Sequence, residues 1–338
     1  MARILDEDYA YSTARIRAIE NKLITPQRLD RLLDAETTED AVKMLVELGY
    51  GYGSADVSHN VVNVFEKLLS DEIKKTYALL ENILPMPAVI TLFMRRNDYL
   101  NAKTILKAGF LGREDPGLLA DSGNVDPKRL TRMIVDRDLL DLPEVFRKAV
   151  LECVDTYGRT SDPQEIDLIL DRAMYENMAQ DAEETNDPYI ADLVGMLHDI
   201  ANIRIFIRAK FLNKSRDFLS KALLSGSKFP KKAYVDLSDK ELDLFFEAIR
   251  FTSLTDLAAR LKESIKTGAD ISGVEKILDD YFMEYVRKSK YVAMGVEPVI
   301  AYLFYKEAEI RNVRLILTGK INKIKQETIR ERLRAGYA

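Results

Sequence analysis

The chain has 338 residues, of which 47% are apolar and 31% charged, and its net charge is −5. A single hydrophobic core stops growing at roughly 250–300 residues, so two or three domains are expected. This composition excludes a disordered chain, the mild acidity argues against a general nucleic-acid binder, and the lone Cys153 excludes an internal disulfide framework and fits a reducing compartment.

The opening stretch MARILDEDYAYSTARIR carries acids where a signal peptide needs an apolar segment, and a first helix is expected over 8–22. ITPQRLDRLL (24–33) reads as a helix with Thr25 as N-cap and Pro26 in the first turn. Thr37 with Asp40 forms a capping box for a short helix ending near Gly49 or Gly51. GYGYGS (49–54) follows a helix and lacks the Gly-Lys-Ser/Thr ending of a phosphate loop, so it reads as a flexible cap. Apolar residues recur at helical spacing in VVNVFEKLLSDEIKKTYALL (61–80) and again around YLNAKTILKA (99–108). After the linker GREDPGLLADSGN (112–124) the order recurs: VDPKRLTRMI (125–134), a box at Asp141 and Glu144, a stop near Gly158, EIDLILDRAMYENMAQ (165–180) and IANIRIFIRA (200–209). A second linker, LLSGSKFPKKAYVD (223–236), precedes LSDKELDLFF (237–246) with Ser238 as cap, a box at Ser253 and Asp256, a stop at Gly268, VEKILDD (274–280) and IRNVRLILTG (310–319). IKQETIRERL (324–333) resembles the first helix of a further copy. No run of 18 apolar residues occurs, since Glu297 and Pro298 interrupt the most apolar tract, so the chain is not expected to cross a membrane by itself. The expected fold class is all-α.

Placing Asn101, Asn202 and Asn312 in register brings an acid three positions earlier (Asp98, Asp199, Glu309) and a base two positions later (Lys103, Arg204, Arg314). The asparagines are 101 and 110 residues apart. FEKLLSD (65–71), IDLILDR (166–172) and VEKILDD align as a second repeated element, 36 to 38 residues upstream of them. Such a period is too long for a solenoid and suits three similar helical domains related by a pseudo-threefold axis. The expected boundaries are an N-terminal helix at 1–21 and repeat domains at 22–120, 121–228 and 229–338, the last including a C-terminal helix.

On each repeated helix the acid, the asparagine and a small residue (Ala108, Ala209 or Gly319) share one stripe. Asp98, Asn101, Asp199, Asn202, Glu309 and Asn312 are candidates for a buried structural network, with direct partner contact as the other reading. Lys103, Lys107, Arg204, Arg208 and Arg314 lie on another face. The windows 94–112, 197–215 and 306–324 each carry a charge of +3 in a chain of net −5. Those five residues are either a solvated face or candidates for binding a polar or acidic partner.

The stretches RRNDYLNAK (95–103), ANIRIFIRAK (201–210) and EIRNVRLILTGKIN with TIRERLR (309–334) resemble the C subunit of archaeal and bacterial V-type ATPases and ATP synthases, the relative of the vacuolar d subunit. The resemblance covers nearly the whole chain. It implies a funnel-like, non-catalytic central-rotor subunit on the cytoplasmic face of the membrane, peripheral to it. Its implied partners are the central shaft subunits (D and F type) and the membrane proteolipid ring. The implied role is transmission of torque for ATP-coupled proton or sodium transport, with no cofactor, no small-molecule substrate and no nucleic acid.

The residues themselves leave a second reading open, a stand-alone all-helical scaffold or regulator. Catalysis finds no constellation. His59 and His198 have no second His or Cys at zinc spacing, Cys153 sits in the apolar stretch VLECV as a small core residue, and the acids of YENMAQDAEETND (175–187) read as a solvated helix end.

Overall fold

A stripe of apolar residues at helical spacing folds as a helix because the stripe must be buried, and the structure, a computed structural model, is helical over most of the segments expected to be so. It describes residues 4–51, 61–113, 119–250 and 252–337. In chain order the helices are α1 (Ala10–Ile19), α2 (Pro26–Asp34), α3 (Thr38–Glu47), α4 (Val61–Ile83), α5 (Ala88–Phe110), α6 (Pro127–Asp136), α7 (Glu144–Thr160) and α8 (Pro163–Thr185). They continue as α9 (Pro188–Phe211), α10 (Arg216–Ala222), α11 (Lys231–Asp236), α12 (Leu242–Ile249), α13 (Thr255–Lys266), α14 (Ile271–Arg287), α15 (Val296–Ile321) and α16 (Gln326–Arg332). Among the described residues there is no strand. His59 and the end of the GYGYGS stretch lie outside the described residues, as does part of the first linker.

Two compact units form, one from Ala88–Lys262 and one from Ile4–Pro87 together with the chain from Glu263 onward. In the first, α5 contributes Tyr99, Ala102, Ile105 and Leu106 to a core with Leu130, Met133 and Ile134 of α6, Phe146 to Cys153 of α7, and Ile166, Ile169 and Leu170 of α8. In the second, α15 contributes Ile310, Val313, Ile316 and Leu317 to a core with Leu29, Leu32 and Leu33 of α2, Val42 and Leu45 of α3, and Phe65, Leu68 and Leu69 of α4. The α2 and α4 residues match those of α6 and α8 at a constant offset of 101. The four positions used on α5 and α15 are the same relative to Asn101 and Asn312. Each core therefore joins a repeated helix to the short helices that open a copy: the next copy for α5, and the first copy for α15.

Several expected helix ends are realised. Thr37 accepts from the Asp40 amide, Asp126 accepts from the Arg129 amide, and Pro26 and Pro127 occupy first turns. Gly49, Gly51 and Gly268 take the left-handed conformation with φ of 96°, 78° and 88°. Others differ. Gly158 lies inside α7, which runs to Thr160 and is ended by Ser161 at φ 52°. Asp141 pairs with Arg129 instead of capping, and Pro143 stands at the N-cap of α7. Ser238 caps nothing; its hydroxyl donates to the Val235 carbonyl, and α12 starts at Leu242. The counterpart of α2 and α6 in the third copy is α11, introduced by Lys228-Phe229-Pro230, for a reason found in the clasps below.

Candidate functional site

The repeated stripe is buried in all three copies, and each asparagine grips the backbone N–H and C=O of one residue in a segment about twenty residues downstream. The Asn101 side chain donates Nδ2–H to the Ala120 carbonyl at 2.9 Å and accepts from the Ala120 amide at 2.8 Å. Asn202 does the same with Leu224 at 3.0 and 2.8 Å, and Asn312 with Arg334 at 2.9 Å for both bonds. An asparagine amide offers the donor and acceptor of a peptide in the same geometry, so it satisfies an isolated buried peptide as a neighbouring strand would. Asp at this position would lose the donor.

The carboxylate one turn earlier fixes the entry to the next helix. Asp98 accepts from the Val125 amide at 3.0 Å and the Asn124 side chain at 2.9 Å, and Asp199 accepts from the Lys228 amide at 2.8 Å. Glu309 accepts from the Ile24 amide, reaching a segment 285 residues away. Val125, Lys228 and Ile24 each stand two residues before a proline, Pro127, Pro230 or Pro26. This common register identifies α11 as the partner of α2 and α6. Gly123 is required by close approach, since a Cβ there would lie 2.2 Å from Asp98 Oδ1. Burial pushes the Asp98 and Asp199 carboxyls upward, and the backbone amides that bind them oppose the shift.

Glu309 is more heavily engaged than its two counterparts. Its other oxygen accepts from the Tyr50 hydroxyl and from Lys306 Nζ at 2.7 Å, and Lys306 also pairs with Glu72 at 3.2 Å. Burial works against the Lys306 charge, but the attraction of Glu309, Tyr302 and Glu72 outweighs it and raises its pKa. Tyr50 is pushed well above its ordinary value by burial and then by the charge of Glu309. The small end of the stripe is buried too, and a Cβ on Gly319 would come within 2.5 Å of Ile329 Cδ1 on α16.

One repeated feature escapes sequence reasoning. Lys210 donates to the Ser238 and Lys240 carbonyls in the turn that follows α11, and Lys320 to the Ala35 carbonyl at the C-cap of α2. Both lie eight residues after the asparagine, where the first copy has Gly109, so a three-copy comparison hides them.

The basic face meets acids of the second repeated element. Lys103 pairs with Asp171 at 2.5 Å and Lys107 with Asp167 at 2.6 Å, an i,i+4 pair of bases on α5 against an i,i+4 pair of acids on α8. Arg314 pairs with Glu66 on α4 at 3.0 Å. Arg204 and Arg208 hold the same positions on α9, the former half-buried and the latter exposed.

Cys153 is fully buried with its thiol pushed up to about 12 by desolvation, and His198 is buried with its pKa lowered by the same cause. Among the described residues no group of three or more His, Cys, Asp or Glu side chains is placed to hold a metal, and no helix is long and apolar enough to cross a membrane.

The ATP synthase (C/AC39) subunit family matches residues 12–332. The A-type ATP synthase C subunit of Methanocaldococcus jannaschii is 29% identical, over 96% of this chain and 86% of that protein. The V-type sodium ATPase C subunit of Enterococcus hirae is 24% identical, over 95% of this chain and 97% of that protein. The A-type ATP synthase C subunit of Pyrococcus abyssi is 23% identical, over 96% of this chain and 89% of that protein. With the match running through all three asparagine helices, the chain belongs to the ATP synthase (C/AC39) subunit family and is a subunit of a rotary A/V-type ATPase or ATP synthase.

Proposed function

We propose that the protein is the non-catalytic central-rotor subunit that joins the central shaft, of D and F type subunits, to the membrane proteolipid ring. In that position it transmits torque between ATP chemistry in the soluble head and proton or sodium movement through the ring. It is peripheral, on the cytoplasmic face, and organised as three similar domains in a pseudo-threefold, funnel-like arrangement. The observation that carries this reading is the family match across almost the whole chain. The clasps support it: a part that transmits torque must not yield, and three buried Asn–peptide pairs lock each long helix to the segment after it. Lys103, Lys107 and Arg314 already hold partners within the chain, so any role of the basic face in assembly is one of steering, weakened by salt.

Membranes lacking the protein should still hydrolyse ATP in the soluble head without driving ions through the ring. Intact ATP-driven ion uptake in vesicles from a deletion strain would overturn the rotor assignment.

A further inference from the structure

Between α14 and α15, in the unit built from Ile4–Pro87 and the chain from Glu263 onward, the fold buries more hydrogen-bond donors than it uses. The 3-10 turn Lys288–Tyr291 follows α14 directly, and Arg17 of α1 donates through Nη2 to the carbonyls of Ser289, Lys290 and Val292 at 3.0, 3.3 and 3.0 Å. The acceptors of the turn are thereby taken, and its side-chain donors are left over. Ser289 and Tyr305 are buried, yet their hydroxyls find no hydrogen-bond partner, and neither does the buried Nε of Arg287. The three groups are neighbours: burial pushes the Tyr305 hydroxyl up to about 12, while Ser289 and then Arg287 beside it pull the other way. Buried donors are normally satisfied, and one left alone costs the desolvation of its group.

Positive charge gathers at the same place. Arg287 and Lys290 have no ion-pair partner among the described residues; they donate instead to the carbonyls of Gly336 and Tyr337, the first at 3.1 Å, and Lys290 Nζ lies 3.9 Å from the centre of the Tyr337 ring. Burial lowers the pKa of Lys290, and the charges of Arg287 and Arg17 lower it further. Glu20 opposes them, but both its oxygens already accept from Arg17, at 3.2 and 3.0 Å. The Tyr337 ring stands edge-on to that of Tyr305 at 5.0 Å, so the half-buried segment 336–337 lies against the same group.

We infer that Arg287, Ser289, Lys290 and Tyr305 form a binding site for an oxyanion of phosphate type, and that the carbonyls of 336–337 are the stand-in that closes it. A carbonyl carries only part of a charge, whereas a tetrahedral oxyanion brings a full charge and enough oxygens to accept from Arg287 Nε, Lys290 Nζ and both hydroxyls. The phosphate is free in solution or carried by a lipid headgroup; the exposed Lys288 and Tyr291 of the same turn suit the second source. Binding displaces 336–337 and leaves the Asn312 clasp on Arg334 in place. The site is complete within this unit, and it stands whether or not the rotor reading does.

The test titrates the full-length protein with inorganic phosphate by calorimetry, with chloride at equal ionic strength as the control. Tyr305→Phe removes a hydroxyl that holds no partner, so without phosphate its melting temperature should not fall, yet phosphate binding should weaken about tenfold, as for one lost hydrogen bond to a charged ligand. Lys290→Met should weaken it further. Tyr337→Ala loosens the stand-in and should tighten phosphate binding. Sedimentation with vesicles of phosphatidic acid in phosphatidylcholine, against phosphatidylcholine alone, tells the two sources apart: uptake of the wild type but not of Tyr305→Phe, without binding of free phosphate, places the phosphate on a lipid. Failure of the wild type to bind either ligand overturns the site, as does binding by Tyr305→Phe and Lys290→Met as tight as that of the wild type. Weaker phosphate binding by Tyr337→Ala overturns the role given to 336–337.

Discussion

The core of α5 with α6–α8 and the core of α15 with α2–α4 use the same positions, yet the first is assembled from a continuous stretch of chain and the second from segments nearly 300 residues apart. They differ at the carboxylate that closes each. Asp98 needs only the neighbouring Asn124 and Val125, because the linker delivers them. Glu309 must hold Ile24, which no linker delivers, and it does so with one more methylene and with Tyr50, Lys306 and Glu72 around it. A non-covalent joint is thus reinforced by buried charge where a covalent one is not.

Removing the carboxylates should expose this difference most strongly. Glu309→Ala leaves Lys306 buried with only Glu72 and is expected to cost about 3–5 kcal/mol, whereas Asp98→Ala strands an amide and a side-chain donor and should cost about 1–3 kcal/mol. Urea unfolding measures both. Equal costs would mean that the charged cluster gives the discontinuous module nothing extra.

The asparagines should behave alike in the two modules, since Asn101 and Asn312 make the same two bonds. Each replacement by Ala is expected to cost roughly 1–3 kcal/mol. A cost at Asn312 far below that at Asn101 would break the equivalence.

pH should separate the modules by window, because both contributions are lost as pH rises, one in acid and the other in alkali. The folded pKa of Asp98 is raised by burial, so as pH rises from its ordinary 3.8 through the raised value the unfolded chain gives up its proton first and stability falls. Lys306 has a raised folded pKa, so its contribution is full below 10.5 and is lost as pH climbs through the folded value. The stability difference between wild type and Lys306→Met should therefore shrink only in strong alkali. That between wild type and Asp98→Asn should shift, at wild type's expense, above pH 3.8. The slopes are at most about 1.4 kcal/mol per pH unit for each proton. A flat difference in acid would show that Asp98 is not desolvated as described, and a flat one in alkali that its neighbours do not hold the Lys306 charge.

The smallest effects belong to the ion pairs. Lys103→Met and Arg314→Met should each change stability by less than about 1 kcal/mol, and the change should diminish with added salt, because these partners are partly exposed. A larger loss at either site would make the basic face a structural seam.

Much of this is legible in the sequence. The acid–asparagine register and its period of about a hundred residues come from the need to clasp a peptide in the same way each time. What a period cannot convey is which copies share a core, because element order is the same whether a helix packs on the copy before or after it. The third α2 counterpart is hidden because Leu237-Ser238-Asp239 imitates a cap. The signal that could have found it is the shared proline of Lys228-Phe229-Pro230, two residues after the clasped amide. The acids that pair with Lys103 and Lys107 are also visible, since Asp167 and Asp171 have the same spacing of four. Of the Glu309 cluster the sequence shows only the i,i+3 pair Lys306–Glu309, because Tyr50 and Glu72 join it only in space.

The joint between α15 and α2–α4 also sets a timetable. At about 5–20 residues per second, the helices α2–α4 leave the ribosome roughly 12–50 s before the residues of α15 that complete their core exist. During that interval the core of Leu32, Leu33, Leu45 and Leu69 lacks the side that Ile310, Val313, Ile316 and Leu317 cover in the native protein. The α5–α8 core can close as soon as α8 is made. Newly synthesised protein is therefore expected to depend on chaperones for its first third far more than for its middle, and truncation before α15 should yield an aggregating N-terminal segment attached to a folded α5–α8 module.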